Sequence, residues 1–243
     1  MPPLISLITV TKNCVSTIKR TLKSIEAIKT PDIQYIIIDG KSVDGTLAII
    51  ERYEHVVDLL ISEEDTGIYA AMNKGATLAN GKYILFINGD DHILVDGFNG
   101  AKDILEKQSP DILSCQSEVF AQNGANDSML CPSLWRLYFF NSIPHLSTFV
   151  SADLQKKYKF REQFRIAADY DLFLRMFLKG HRFVLSELVT AVHYRGGFSN
   201  NVIQSIAEIR RIRKDNLGPV LYSITRGIEV LNNFKRVLLR LIC

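Results

Sequence analysis

The chain has 243 residues, 47% of them hydrophobic, enough for one large domain or two small ones and too apolar for a disordered chain. Its 29 Lys and Arg against 26 Asp and Glu give a formal net charge of +3, too close to balance for a general nucleic-acid binder. The surplus is C-terminal: from Arg210 onward eight basic residues face Asp215 and Glu229, so this tail carries +6 and the remainder −3.

Met1-Pro2-Pro3 leads into an apolar stretch of about eight residues without a basic leader, and no run reaches the roughly 20 residues of a bilayer span, so neither a secretion signal nor a membrane span is expected. Cys14, Cys115, Cys131 and Cys243 are far apart with no Cys-x-x-Cys pair, which argues against a zinc site or a disulfide framework and for a reducing, cytoplasmic setting. Leu4 to Val10, Gln34 to Ile38, Val57 to Ile61 and Tyr83 to Ile87 are short apolar runs that predict strands covered on both faces. Between them, Val15, Ile18, Leu22 and Ile25 share one helical face, and Ile68, Ala71, Met72, Gly75, Ala76 and Ala79 another. This alternation predicts a largely parallel sheet with crossover helices, in which ligands sit outside the carboxyl ends of the strands.

The strand ends are polar: Thr11-Lys12-Asn13, then Asp39 to Thr46, then Ser62 to Gly67, then Asn88 to Asp91. Beyond Asp91 the pattern loosens. Residues 118 to 133 include the turn-rich Gln122 to Asp127, Trp135 to Phe140 is aromatic, and the whole reads as a variable region beside the sheet. A last clear helix starts near Asp169, carries Leu172, Phe173, Met176 and Phe177 on one stripe, and stops at Gly180.

No Gly-x-Gly-x-x-Gly follows the first strand and no P-loop occurs, so a bound nucleotide would have its phosphates neutralised by a divalent cation, Mg²⁺ or Mn²⁺, held by carboxylates. Asp90 and Asp91 are placed for this. The competing reading of Asn88-Gly89 is a two-residue hairpin turn.

Four segments in fixed order, Leu4–Asn13 (LISLITVTKN), Ile38–Thr46 (IDGKSVDGT), Ser62–Gly75 (SEEDTGIYAAMNKG) and Gly81–Asp91 (GKYILFINGDD), resemble family 2 glycosyltransferases of the GT-A fold. The likeness covers about the first 95 residues closely and continues to Arg195–Ser199 (RGGFS). It implies a Rossmann-like, mostly parallel sheet flanked by helices, and inverting transfer of a sugar from a nucleoside diphosphate, UDP favoured, to a saccharide or lipid-linked acceptor in polysaccharide or glycolipid biosynthesis. It divides the chain into a donor-binding half (1–95), an acceptor and base half (96–204) and a basic helical tail (205–243).

Carried over residue by residue, the resemblance puts Asp39 on the nucleotide base or ribose, with turn formation as the alternative, and Val10, Lys12 and Asn13 in the loop where the base rests. Asp65 is a donor-facing acid or a helix N-cap. Tyr69, Asn73 and Lys74 face donor phosphate or sugar; Met72 stands where relatives often carry Arg, and Lys74 could compensate. Asn88 departs from the family's Asp-x-Asp, which leaves the metal chiefly to Asp90, with Asp91 and His193 as further candidates; Asn88 and Gly89 then serve the donor. The base falls at Asp169, with N-capping as the alternative, while Asp171 is spaced for a surface ion pair with Arg175. Arg195 suits phosphate, and His145 lies in the acceptor region.

The tail places Leu231, Phe234, Leu238 and Leu241 on one helical face with Lys235, Arg236 and Arg240 on others. This fits a cytoplasmic membrane surface, the chain's own domain or a second subunit. Asn88 and Met72 also leave open a nucleotide-sugar binding module or inactive scaffold of the same fold; an oxidoreductase is disfavoured by the missing glycine-rich turn.

Overall fold

In the computed structural model, residues 2–121, 126–194 and 202–242 are described, the side chains of 126 and 232–242 excepted. Strands β1 (Ile5–Thr11), β2 (Ile33–Asp39), β3 (Leu59–Ser62) and β4 (Tyr83–Asn88) alternate with helices α1 (Ile18–Glu26), α2 (Thr46–Glu51) and α3 (Ile68–Leu78). They pair in parallel in the order β3-β2-β1-β4.

The apolar runs divide by period two. Ile8, Ile36, Ile38, Ile84 and Phe86 enter one core with α3. Leu7, Tyr35, Ile37, Leu85 and Ile87 enter the other with α1. Gly75 lets α3 lie close on the sheet: a Cβ there would come within 2.5 Å of Ile8 Cγ2. Register then brings the strand ends level, Thr11 opposite Asp39, Asp39 opposite Ser62 and Val10 opposite Asn88.

Asn88-Gly89 is not a hairpin. The chain turns through Gly89 and Asp90 into β5 (His92–Ile93), which pairs with β9 (Phe183–Tyr194) rather than returning along β4. Gly89 is needed at this turn because a Cβ would stand 2.6 Å from Thr11 Oγ1.

The second half is more regular than its sequence pattern. Helix α4 (Val95–Gln108) leads to β6 (Ile112–Phe120), β7 (Asn126–Leu130), β8 (Thr148–Ser151), α5 (Ala152–Tyr158), α6 (Ala168–Leu178) and β9. The sheet continues from β4 as β8-β6-β9-β5, with β7 beside β6. Here β8 is antiparallel to both neighbours and β9 is parallel to β6. Two of the expected helix residues fall outside the helices: Val15 precedes α1 and is 41% exposed, and Ala79, buried, is the extended C-cap of α3.

Helices α7 (Val202–Asn216) and α8 (Pro219–Ile242) complete the described chain. Helix α7 packs on α6 and buries Ile212, with Leu217 buried just beyond it. Arg213, 2% exposed, ion-pairs with Glu229 of α8, which also takes Arg210 at 2.6 Å and Arg226 at 3.1 Å. The basic tail is thus partly neutralised from within, although Val220, Ile224 and Leu231 stay exposed. The side chains of Phe234, Leu238 and Leu241, expected on the same stripe as Leu231, lie outside the described residues, as do those of Lys235, Arg236 and Arg240. No helix among the described residues is long and apolar enough to cross a membrane.

Burial pushes the Glu229 carboxyl up, but hydrogen bonds from Arg213 and Arg210 more than offset this and hold it at about 2. A folded value below the ordinary 4.5 stabilises the α7 to α8 contact above that pH and withdraws the stabilisation as the pH falls towards about 2. Hydrogen exchange of α8, corrected for intrinsic rates, is expected to accelerate across that window in the native chain and not in Glu229→Gln. Equal profiles for the two would remove Glu229 as the clasp.

Candidate active site

A cleft of about 1200 Å³ opens at the carboxyl ends of β1 and β4. Val10, Lys12, Asn13, Gly89 and Asp90 line it from the sheet, Asp65 and Met72 from the third loop and α3, and His145 and Asp169 from the second half.

The turn bearing Asp90 is held from behind by α1. Thr17 Oγ1 donates to Gly89 O at 3.0 Å, Arg20 Nη2 to Asp90 O at 2.5 Å and Thr21 Oγ1 to Asp91 O at 2.6 Å. Residues spaced by three and four lie on one helical face, so one side of α1 serves three successive carbonyls. The Arg20 guanidinium also stacks 3.5 Å from the Tyr194 ring centroid. Sequence reasoning passed over this trio; the signal was a polar Thr21 next to the apolar stripe of α1.

The acidic residues differ in what surrounds them. Asp39 is buried and accepts from Ser42 N at 2.9 Å, Ser42 Oγ at 2.5 Å and Ser62 Oγ at 2.6 Å, which is the turn-forming arrangement; it does not line the cleft. Asp91 is fully buried and also set back from the cleft. Its Oδ1 meets His193 Nδ1 at 3.0 Å and Tyr194 N at 3.2 Å, and its Oδ2 meets Asn88 Nδ2 at 3.1 Å. Among the described residues no side chain hydrogen-bonds the Asp90 carboxylate. Burial, and next the charge of Asp91, push its carboxyl above the ordinary carboxylate range.

Asp65 lines the cleft, with Oδ1 at 2.5 Å from Lys74 Nζ. It does not cap α3, whose N-cap is Gly67. Lys74 also binds Glu63 at 2.7 Å and does not line the cleft, so its charge holds the acidic loop together. Its ammonium is shifted up by the hydrogen bonds to Asp65 and Glu63. Asn73 is likewise set back: its amide exchanges two hydrogen bonds with the Phe160 main chain, both 2.9 Å. Met72, where the resemblance implied a position often held by Arg, is 2% exposed, packs in the core with α3 and offers the cleft no charge.

Across the cleft, Asp169 sits in the first turn of α6. The N-cap is Ala167, without a side-chain cap. Instead Glu208 of α7 accepts from the main-chain N–H groups of Arg165, Ile166 and Ala167 at 3.0, 2.9 and 2.9 Å. Glu208 thus satisfies the donors of the loop that enters α6, while the first turn itself is served by Asp169. Asp169 Oδ1 accepts from Tyr170 N at 2.8 Å and lies 3.4 Å from Tyr69 Oη, while Oδ2 accepts from Asn141 Nδ2 at 2.8 Å. Burial, then the Asp169 charge, push the Tyr69 phenol well above its ordinary value. Asp171 does pair with Arg175, at 2.7 Å, but as a fully buried group that also meets Arg161 and Asn216 rather than at the surface.

No group of three or more His, Cys, Asp or Glu among the described residues is arranged to hold a metal ion. The residues still fit a cation that takes one carboxylate and completes its shell with phosphate and water. Among the described residues no ion pair or side-chain hydrogen bond holds the Asp90 carboxylate, which feels His193 and Arg20 only as nearby charges, and Asn88 Oδ1 is buried with no partner among them. Of the further ligand candidates, His193 lines the cleft and faces Asp91; Arg195 lies outside the described residues.

The sequence model of glycosyl transferase family 2 matches residues 6–169. The chain belongs to that family. A "PGL/p-HBAD biosynthesis glycosyltransferase" of Mycobacterium tuberculosis is 29% identical over 214 residues, covering 83% of this chain and 81% of the relative. A "putative teichuronic acid biosynthesis glycosyltransferase", TuaG of Bacillus subtilis, is 35% identical over 109 residues, 44% of this chain and 40% of TuaG.

Among solved structures, S. aureus TarS 1–349 in complex with UDP-GlcNAc superposes with TM-score 0.70 at 20% identity, over 86% of this chain and 65% of that one. The mannosyltransferase PcManGT from Pyrobaculum calidifontis, with GDP-Man and Mn²⁺, gives 0.64 at 18% identity over 94% and 65%. This chain therefore spans slightly less than two thirds of those solved chains. The fold of this family 2 member is GT-A, as its motifs implied.

In this family 2 chain the grip of α1 on the turn is open to test. Thr21→Val leaves the Asp91 carbonyl buried without its donor, at an expected cost of about 1–3 kcal/mol in urea unfolding. A loss below about 0.5 kcal/mol, the level of an ordinary surface change, would mean the clamp is idle.

Proposed function

We propose that the chain is an inverting glycosyltransferase that moves a sugar from a nucleoside diphosphate sugar to an acceptor hydroxyl. The observation that carries this reading is that Asp90 and Asp169 line one cleft, Asp90 from the turn after β4 and Asp169 from the start of α6. A base and a diphosphate-neutralising carboxylate on separate walls suit a single displacement, in which the acceptor attacks opposite the leaving group. Val10, Lys12, Asn13, Asp65 and Gly89 line the donor wall. Asp39, Asn73 and Lys74 act through the loops they hold, and Asn88 faces both walls.

In this reading Asp169 draws the proton from the acceptor hydroxyl as its oxygen attacks the anomeric carbon, and the bonding pair departs with the diphosphate. Asp90 would chiefly hold a divalent cation, Mg²⁺ or Mn²⁺, which when bound would supply positive charge to the departing diphosphate. The Mn²⁺ and GDP-Man of PcManGT and the UDP-GlcNAc of TarS support a cation and a nucleotide sugar. UDP remains the favoured nucleotide. The names of the mycobacterial and Bacillus relatives support a role in polysaccharide or glycolipid synthesis. Exposed Val220, Ile224 and Leu231 beside a basic tail favour peripheral contact with the cytoplasmic membrane face, near lipid-linked acceptors.

Asp169→Asn is expected to lower turnover by at least about 10²-fold, the usual scale for a positioned base, while stabilisation by nucleotide sugar in thermal unfolding is kept. Full activity in that variant would dismiss Asp169. For Asp90→Asn, calorimetry should find UDP affinity no longer raised by Mn²⁺; a response equal to the native chain's would move the cation elsewhere.

A further inference from the structure

The two walls of the cleft are joined by a chain of side chains. Asn88 Nδ2 lies 3.1 Å from Asp91 Oδ2 and 3.3 Å from His145 Nε2. The other ring nitrogen, Nδ1, lies 3.5 Å from Asp169 Oδ2. His145 is mostly buried, its side chain 23% exposed, and lines the cleft between Asn88 and Asp169.

The direction of each contact follows from donor and acceptor inventory. A carboxylate only accepts, so Asp91 requires the NH₂ of Asn88 to face it; the reverse orientation would set Oδ1 against Asp91. The second hydrogen of that NH₂ then points to His145 Nε2, which must present its lone pair. A neutral imidazole carries one N–H, so the proton sits on Nδ1, against Asp169.

We propose that Asn88 and His145 are positioning residues for Asp169: the Asn88 amide, oriented by Asp91, fixes His145 as its Nδ1–H tautomer, and that N–H faces Asp169 Oδ2 at 3.5 Å, a charge–dipole contact longer than a hydrogen bond. The inference rests on Asp169 as the base. It gives a physical reason for Asn where the family's Asp-x-Asp has an acid. A carboxylate at position 88 would repel Asp91 and demand a proton on Nε2. The ring would then either turn its Nδ1 lone pair on Asp169 or become an imidazolium that neutralises it, and both weaken the base.

Asn88→Asp restores the family spelling and adds charge for a cation, yet it is expected to lower kcat by about 10²-fold without raising the donor KM. The reaction is read as nucleotide release from UDP-GlcNAc and from GDP-mannose. Because the Asn amide can stand in for Nδ1–H and the Gln amide for Nε2–H, His145→Asn should retain about tenfold more turnover than His145→Gln. A residue that merely filled space would show no such order.

Nitrogen-15 NMR of the full chain with labelled histidine, with the His145 signals assigned by their loss in His145→Asn, is expected to find Nδ1 protonated and Nε2 bare. Free neutral imidazole favours the opposite tautomer, so this signature is not a default. Protonation of Nε2 in the native chain, or an Asn88→Asp enzyme as fast as native, would overturn the proposal. The NMR readout needs no turnover. A chain stabilised by neither nucleotide sugar would therefore sink the transferase reading, while the tautomer would still decide this one.

Discussion

Two-sided burial of β1, β2 and β4 dictates where charge can stand in this molecule. Their side chains alternate between two apolar cores, so neither face tolerates an unpaired carboxylate. Charge is confined to the ends of these strands, and parallel pairing in register brings the ends to one edge. The acidic cluster is thus a consequence of packing before it is a feature of chemistry. A shift of one residue in register would exchange the two core faces of a strand and scatter the cluster.

Gathering acids at one edge creates repulsion, and the structure answers it acid by acid. Lys74 bridges Glu63 and Asp65. Two serines and a main-chain N–H surround Asp39. Asp91 receives Asn88, His193 and Tyr194. Charge-assisted hydrogen bonds of this kind are worth about 1.5–3 kcal/mol each, comparable to the cost of burying the group, so most of the cluster is settled without a ligand. Asp90 is the exception. Burial and the Asp91 charge raise its carboxyl above the ordinary range despite Arg20 and His193 nearby, and Asp65, beside it on the cleft, keeps Oδ2 buried with no partner among the described residues.

The parallel half of the fold was legible because its strands are uninterrupted apolar runs between polar loops, a pattern that needs no knowledge of partners. The second half was not. Helix α4 carries Gly97 and Gly100 inside it, which weakens any helical signal, and β9 mixes Ser186, Glu187 and Thr190 into its run because its faces are unequally covered. Within the site, the motifs located Asp90, Asp65 and Asp169 on the cleft. They could not separate acids that face it from acids that hold it up, since Asp39 and Asp91 differ from Asp90 only in their three-dimensional surroundings. Asp171 was legible as a partner of Arg175 by its spacing, but its burial depends on Arg161 and Asn216, which come from elsewhere in the chain.

Glu208 shows how far support for the site extends. It lies in the tail, outside the segment matched by the family, and three N–H groups that precede Asp169 converge on its carboxylate. Asp169 commits one lone pair, on Oδ1, to the first turn of α6 through Tyr170 N–H. With Glu208 taking the loop donors before the helix, the other contacts of Asp169 are Asn141, Tyr69 and His145, three side chains from other parts of the fold. Helix α7 is fixed in turn by Arg213 and Arg210 on Glu229 of α8. The basic tail therefore has a stake in the geometry of the base, whatever surface its exposed side meets, and removing it would loosen the loop before Asp169 as well as the tail itself.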